Sequence, residues 1–591
     1  MKSKAKAKIT ILIILGIFFN FSTLIMTNLK FNTGNFNNVL DYSDDFNIDT
    51  KNLKISKISV KIHIINNSGW VDFRNAGYCS GEGTYSYPYV IEDLVIDGGG
   101  SGSCIIIENS NVYFRIENCN VYNSGDDYYY NGDAGISLFT VRNGMIIDNN
   151  CSNNYLGIRL YDCNNNTISG NMVNNNRYGI YIVHSNFSTI SENNVNKNGF
   201  DAIALRFSNS NNISRNNASF NYNCGICLYN CNNNTILGNT ANDNAYGISL
   251  GYSDFTTISE NKANNNNYYG IYLSFTYSNN ISRNIMNKCG LRIKGSLEEL
   301  ISNEIDTTNL VNGKFLYYYT NQMNLGPNNF TNAGQVILIK CNNSSITNIN
   351  TSYSSIGIYL YCCNDNTISG NYASFNKDDG IHLDGGSNNI ISNNTTNNNR
   401  YYGIFLGGSS NNIILNCTSN NNRYYGIFLI GSDNSIVSGN TFNSNIKGID
   451  LSYGDNCTIS ENNVCENSGS GIYLYISNNN TISENTVNYN DNGICLEDES
   501  DNNTVTMNTV NYNDNGIILS SSDYNIISRN ILNGNDICIS EFNSEGNVFV
   551  NNYCYDPFQD KILFFLLVTL SIVSVIISFT SIFIYKKTRK F

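Results

Sequence analysis

Residues 179–200 read GIYIVHSNFSTISENNVNKNGF, and this stretch holds the rule for most of the chain. Apolar side chains stand at Ile180 and Ile182, ten residues past Ile180 at Ile190, and five further on at Val195, with polar residues filling nearly all the rest. The Gly-Ile pair also occurs as Gly157-Ile158, Gly225-Ile226, Gly247-Ile248 and Gly270-Ile271. It resumes from Gly357-Ile358 to Gly516-Ile517, and successive steps are 22 or 23 residues. Ala202-Ile203 fills one early gap. Gly290-Leu291, Gly313-Lys314 and Gly334-Gln335 keep time through a divergent stretch, so no separate domain is inserted there. Apolar residues that alternate or stand alone among polar ones suit short period-2 strands rather than helices. Three short strands per repeat, each lying on its counterpart in the next, predict an all-β solenoid, a single-stranded parallel β-helix.

Asparagine makes up roughly a fifth of the residues, and this solenoid explains it. Asn171, Asn193, Asn216, Asn239, Asn261 and Asn284 stand thirteen after the Ile of their repeats. Asn tolerates the left-handed backbone of a sharp corner, and stacked amides can bond from coil to coil. Tyr181, Tyr272, Tyr359 and Tyr473 each follow the inward Ile, so they are expected to stack on one outer face, where aromatic rings could carry sugars. Cys163, Cys231 and Cys363 share one phase with Ser and Gly and read as small buried thiols. Most of the 18 Cys are read as core, with pairing of Cys79 to Cys104 or Cys119 left open.

The two ends differ from the middle. Lys2, Lys4, Lys6 and Lys8 precede an apolar run from Ile9 to Met26, the pattern of a secretory signal or signal anchor. Ile562–Tyr585 lacks charge, is long enough to span a bilayer, and is followed by Lys586, Lys587, Arg589 and Lys590. The basic tail places the C-terminus in the cytoplasm and the solenoid outside a cell membrane. N-x-[ST] triplets such as those at Asn165, Asn186, Asn342 and Asn502 agree with export and with a glycoprotein. The formal charge is −13, and removing the eight basic residues at the extremes leaves the interior near about −21. Such a surface argues against a nucleic-acid partner.

The stretches Asn165-Asn166-Thr167-Ile168-Ser169-Gly170-Asn171 and Gly179-Ile180-Tyr181 resemble the right-handed β-helices of the pectin-lyase-like superfamily. More closely they resemble the NosD-type repeat family, described as periplasmic copper-binding, over roughly residues 90–550. The resemblance implies a right-handed coil and raises two chemistries. Copper would want clustered soft ligands. The 3 His (His63, His184, His382) and 7 Met are scattered, and only Cys224, Cys227 and Cys231 lie close in sequence. Pectin-lyase-like enzymes use outward carboxylates on neighbouring coils, with Arg, Lys or His nearby, for hydrolysis or calcium-assisted elimination. Here Asp378, Asp379, His382 and Asp384 are the catalytic candidates. His382 and Asp384 should point outward between Tyr359 and Tyr361 on one side and Phe405 and Gly407 on the other. No second carboxylate then faces Asp384, and Asp378 and Asp379 read as solvated turn acids. Arg292 would lie some four coils from His382, too far to act with it.

The acidic, aromatic loop of Asp126, Asp127 and Asp133 beside Tyr128–Tyr130 suits calcium or sugar, or is an ordinary polar loop. The expected order is a signal segment (1–27), an N-terminal extension and cap (28–90), the β-helix (91–550), a cap and linker (551–561), a transmembrane helix (562–585) and a basic cytoplasmic tail (586–591). The leading functional expectation is a non-enzymatic, membrane-anchored rod for glycan binding, adhesion or scaffolding, with glycans or cell-surface proteins as partners. A membrane-tethered polysaccharide lyase or glycoside hydrolase is the alternative. A NosD-like accessory protein for a metalloenzyme is a further one.

Overall fold

The computed structural model describes residues 57–126, 132–555 and 567–578, all within the unit Ile55–Phe591. The expected signal segment and the basic tail lie outside the described residues. A right-handed parallel β-solenoid of about 20 turns occupies Lys57–Tyr555. Its register is the one the Gly-Ile beat predicts. Ile158, Ile180, Ile203, Ile226, Ile248 and Ile271 lie opposite one another in consecutive strands of the first face. Ile168, Ile190, Ile213, Ile236, Ile258 and Ile281 do the same on the second face. All twelve are fully buried, each stabilising the fold by about 1.5–3 kcal/mol relative to exposure. The third segment is slighter. It pairs through single bridges such as Met172–Asn194 and Asn194–Asn217, and widens to strands of three or more residues at the two ends, in Lys57–Ser59, Leu94–Asp97 and Asn120–Tyr122 and again over Asn463–Tyr555.

The asparagines form ladders as expected, but the left-handed corner residue is a different one. Asn193 donates its backbone N–H to Asn216 Oδ1 (3.0 Å), and its side-chain amide donates to Asn216 Oδ1 and to Ile168 O (both 2.9 Å). Asn216 repeats the pattern toward Asn239 and Ile190. The residue before each ladder Asn takes the positive φ: Gly170, Glu192, Arg215, Gly238, Glu260 and Arg283, at 54–69°. At these six corners Asn is therefore selected by amide geometry at a buried site, whereas at others, such as Asn165, Asn175, Asn233 and Asn393, Asn itself takes the left-handed backbone. Parallel ladders run through Asn154, Asn176, Asn198 and Asn221, and through Asn211 and Asn234. The thiols expected in the core join a fourth. Cys163 donates its N–H to Ser185 Oγ (2.8 Å), Ser185 to Ser208 Oγ (3.0 Å), and Ser208 to Cys231 Sγ (3.3 Å). Cys79, Cys104 and Cys119 are unpaired thiols, and Cys104 instead donates to Tyr122 O (3.3 Å). The disulfide among the described residues is Cys538–Cys554, in the last coil.

The divergent stretch is a step between two blocks of coils. The first-face sheet of the N-terminal block ends at Leu291–Lys294 and the second-face sheet at Glu304–Ile305. The third face carries on: Ile285–Met286 pairs with Leu310–Val311, which folds back antiparallel on Lys314–Thr320. The turn is Asn312-Gly313, both left-handed (φ 54° and 73°), an Asn-Gly hairpin signal. Lys314–Thr320 then pairs parallel with Ala333–Ile339, so the third face of one block becomes the first face of the next. Gly313 therefore marks a hairpin turn and not a coil, whereas Leu291 keeps register opposite Ile271. The Gln335 amide closes the interrupted strand, accepting from Leu291 N (3.0 Å) and donating to Leu291 O (2.7 Å). Ile337, Ile339 and Tyr359, on what would be an outer face, are buried against the core of the N-terminal block.

The expected transmembrane span is described only over 567–578, which is helical, and its remaining residues lie outside the described residues. Among the described residues no helix is long and apolar enough to cross a membrane.

Asn216→Ala leaves the buried Asn193 N–H without its acceptor and removes the amide bonds from Asn193 and to the Ile190 carbonyl. The expected loss is about 1–3 kcal/mol per orphaned group, read as a lowered denaturation midpoint with a little-changed slope. A midpoint equal to wild type would mean that the ladder adds nothing beyond Ile burial.

Candidate functional site

The step brings together side chains that sequence distance separates. Arg292 projects from the edge strand Leu291–Lys294, and its Nε lies 3.3 Å from Asp378 Oδ2. The Tyr269 hydroxyl donates to the same oxygen (2.9 Å), and Arg292 lies 5.0 Å from the centre of the Tyr359 ring. The separation expected between Arg292 and the His382 strand does not hold, because the chain steps sideways between the two blocks instead of adding coils in line. Asp378 and Asp379, expected as solvated turn acids, are 9% and 4% exposed. Asp379 Oδ2 lies 2.7 Å from His382 Nδ1, and its Oδ1 accepts from Tyr402 N (3.0 Å). The His382 ring stacks on Phe405 (4.4 Å) and meets Tyr359 edge-on (5.1 Å). His382 and Asp384 point outward between the flanks expected, Tyr359 with Tyr361 and Phe405 with Gly407.

Electrostatically this is a closed network. Burial, with Asp379 beside it, pushes the Asp378 carboxyl up to about 6, against the pull of Arg292 and the Tyr269 hydroxyl. Burial also raises the Tyr359 phenol to about 12, opposed by Arg292. For Arg292, burial acts to lower the pKa, but Tyr359 and Asp378 reverse this and keep the guanidinium charged. An Asp that holds one imidazole nitrogen fixes the ring and directs the other nitrogen outward, which is the arrangement of a positioned acid or base.

The tyrosines expected to line one face do not stack on each other. Tyr181 lies between Arg159 and Ala204, and Tyr272 between Ser249 and Arg292. Tyr359 is 4% exposed, covered at the step. Tyr473 donates to Glu497 Oε2 (2.8 Å) and carries Lys447 Nζ 3.1 Å from its ring centre. The continuous stripe is one turn further on, at the corner that follows the first-face strand. Rings touch in succession from Phe139 to Tyr161 (5.3 Å), His184 (5.8 Å), Phe207 (5.1 Å), Tyr229 (6.4 Å), Tyr252 (5.5 Å) and Phe275 (5.4 Å), three of the contacts stacked and three edge-on. His184, Phe207, Tyr252 and Phe275 are left-handed (φ 47–52°), a conformation bulky residues rarely take, and it turns their rings outward. Phe207 and Tyr252 are 46% and 48% exposed. The sequence signal for this stripe is an aromatic three or four residues after the Ile in successive repeats.

Of the acidic loop, Asp126 is exposed, and Asp133 is buried with Oδ2 accepting from Gly102 N (3.2 Å). Asp127 lies outside the described residues.

The ordinary value for the Asp378 carboxyl is 3.8, so between about pH 4 and 6 the folded chain holds a proton that the unfolded chain releases. This group therefore favours the fold at low pH, and its contribution is lost as pH rises through about 6. Asp378→Asn stays neutral, so its melting temperature should rise relative to wild type from about pH 4 to 7. A difference independent of pH would show that Asp378 is ionised throughout. Arg292→Ala leaves the buried Asp378–Asp379 pair uncompensated and is expected to cost about 3–5 kcal/mol in chemical denaturation.

A model of the family described as periplasmic copper-binding protein (NosD) matches residues 301–458, 376–513 and 444–557, and one described as right handed beta helix region matches 38–217 and 178–330. No curated protein matches the chain. Among solved structures, the periplasmic alginate epimerase AlgG is 11% identical over 85% of each chain, with a TM-score of 0.26. The Azotobacter vinelandii mannuronan C-5 epimerase AlgE4 A-module is 10% identical over 83% of this chain and 96% of its own, with a TM-score of 0.23. DFA-IIIase from Arthrobacter chlorophenolicus A6 is 11% identical over 59% of this chain and 89% of its own, at 0.26. Likeness at this level says nothing of reaction or substrate. Copper does not fit the NosD-type coils: among the described residues no group of three His, Cys, Asp or Glu ligands gathers within 301–557, and Cys341, Cys363, Cys417 and Cys457 there are buried, with thiols bonded to backbone carbonyls. The coil, its register and the repeat matches together make the chain a right-handed parallel β-helix repeat protein, with NosD-type repeats in its C-terminal part.

Proposed function

We propose that this protein is a membrane-anchored extracellular β-helix that binds glycan chains along the stripe from Phe139 to Phe275. The observation that carries the reading is seven consecutive aromatic rings on one corner, half-exposed and in contact. Six strand spacings of ~4.8 Å make the stripe roughly 29 Å long, and its repeat is comparable with one sugar unit of an extended glycan. Aromatic faces offer large apolar area at little entropic cost, and polar Asn and Ser corners beside them supply donors and acceptors for hydroxyl groups. Anchoring is supported by the charge-free stretch 562–585 ahead of Lys586 and Lys587.

A second reading is favoured by one specific observation, the Asp379–His382 pair beside Arg292. If a saccharide reaches His382, the imidazole is placed to move a proton at a sugar carbon or glycosidic oxygen while Arg292 offsets negative charge. This would make the chain a tethered polysaccharide lyase or hydrolase.

Both readings meet in one assay. Full-length chain purified in detergent is incubated with insoluble polysaccharides, with and without calcium, and scored for retention and for release of reducing or unsaturated ends. Retention without product, weakened about fivefold by Phe207→Ala or Tyr252→Ala, is the expected result, each ring contributing about 1 kcal/mol. Retention unchanged when both rings are removed sinks the stripe as the binding surface. Product release that is lost in His382→Ala supports the second reading. With residues 1–27 replaced by a cleaved secretory signal, deleting residues 562–591 is expected to move the protein from the membrane fraction to the soluble one, and membrane retention of that truncated chain would refute the C-terminal anchor.

A further inference from the structure

The residue before the Gly-Ile pair lies at the corner entering the first face, and in most coils of the N-terminal block it is large: Leu156, Tyr178, Tyr246, Tyr269. In two adjacent coils it is Asp201 and then Cys224. The outward position of the following strand runs Arg159, Tyr181, Ala204, Cys227, Ser249, Tyr272 in consecutive coils. Three small side chains thus interrupt a row of large ones, two of them on the coils that carry the Asp and the Cys and the third on the coil of Tyr246. The result is a notch, with Tyr178 and Tyr181 in the coil on one side and Tyr246 on the other.

The ligand atoms of Asp201, Cys224 and Cys227 in this notch all lie within 4.8 Å of one another, and theirs is the one such group of three among the described residues. Asp201 and Cys224 are 1% and 3% exposed, and Cys227 is half-buried. Asp201 is held in place, its Oδ1 accepting from Asn223 Nδ2 (2.7 Å) and Cys224 N (3.1 Å). Gly225 makes the corner possible, since a Cβ there would stand 2.7 Å from Gly247 O and 2.8 Å from Ala218 O. The tight corner lets residues 224 and 227 of one Cys-x-x-Cys segment turn toward the same point. Cys231, adjacent in sequence, belongs to the core ladder and takes no part.

We propose that Asp201, Cys224 and Cys227 bind one thiophilic divalent cation of the zinc class, with the fourth position on the side of the half-buried Cys227. Two thiolates and a carboxylate suit zinc, with bonds of about 2.3 Å to sulfur and about 2.0–2.2 Å to oxygen, and three protein ligands leave room for water or a substrate oxygen. Binding is an exchange: each thiol that ligates gives its proton to solvent, so affinity rises with pH. The site stands on different coils from the step and does not depend on either glycan reading.

The test uses the full-length chain, reduced, stripped with chelator and titrated with zinc against a chromophoric chelator, then with cobalt to read thiolate-to-metal charge transfer in the near ultraviolet. Wild type is expected to bind one zinc with proton release and to show the cobalt–thiolate band. Cys227→Ser, at the half-buried ligand, should bind more than ~10-fold more weakly and lose about half of the band per bound cobalt, and Asp201→Asn should weaken binding while keeping the band. Cys465→Ser, at a half-buried thiol elsewhere, should match wild type. Absence of zinc from reduced wild type overturns the proposal, as does zinc bound equally by Cys227→Ser or a cobalt complex without the thiolate band.

Discussion

Every coil of this protein is the template for the next, and the amide ladders enforce that relation. A buried Asn at a corner accepts an N–H from the preceding coil, donates to a carbonyl of that same coil and donates to the Asn of the next, so a one-residue slip would orphan several buried polar groups at once. The same slip would turn every inward Ile to the outer face, so the Ile columns and the Asn columns specify one register together. Stability in such an array is close to a sum over neighbouring coils, so a local irregularity is tolerated where its own edges are closed.

The step between the blocks shows how one irregularity is closed. A solenoid cannot stop a strand without exposing backbone donors and acceptors. Here the Gln335 side chain takes the place of a backbone strand against Leu291, and the Asn312-Gly313 hairpin redirects the third face into a new first face. Once the chain has stepped sideways, an outward side chain of one block's edge strand, Arg292, meets the corner acids of the other. A buried pair of this kind adds little net stability over a well-packed apolar contact, but leaving either charge alone is costly. The network therefore specifies how the blocks meet, and the same enclosure that makes it specific holds Asp378 partly protonated near neutrality.

Binding surface and charged network occupy different physical niches. The aromatic stripe sits at corners whose left-handed backbone throws bulky rings outward, where they cover little of the core and remain available. The Asp379–His382 pair sits where two blocks shield it, with His382 clamped between Tyr359 and Phe405. The notch at Cys227 is a third niche, made by small residues among large ones.

The sequence by itself determined the solenoid, its beat, the inward Ile columns, the buried thiol phase and the outward neighbours of His382 and Asp384. All of these follow from spacing, because strand alternation and a constant repeat length place side chains without reference to anything distant. The role of Asn was half legible: its coil-to-coil bonding could be read, but the left-handed residue is its neighbour, since a turn's dihedrals depend on how the preceding strand ends. Tertiary structure alone decided the meeting of Arg292 with Asp378, the burial of Tyr359 and the grouping of Asp201 with Cys224 and Cys227. The first two depend on a sideways step of the chain, which a hairpin of two residues encodes and which no periodicity reveals. The third depends on side chains one coil apart pointing to one place, and only the stacking of the coils brings them there.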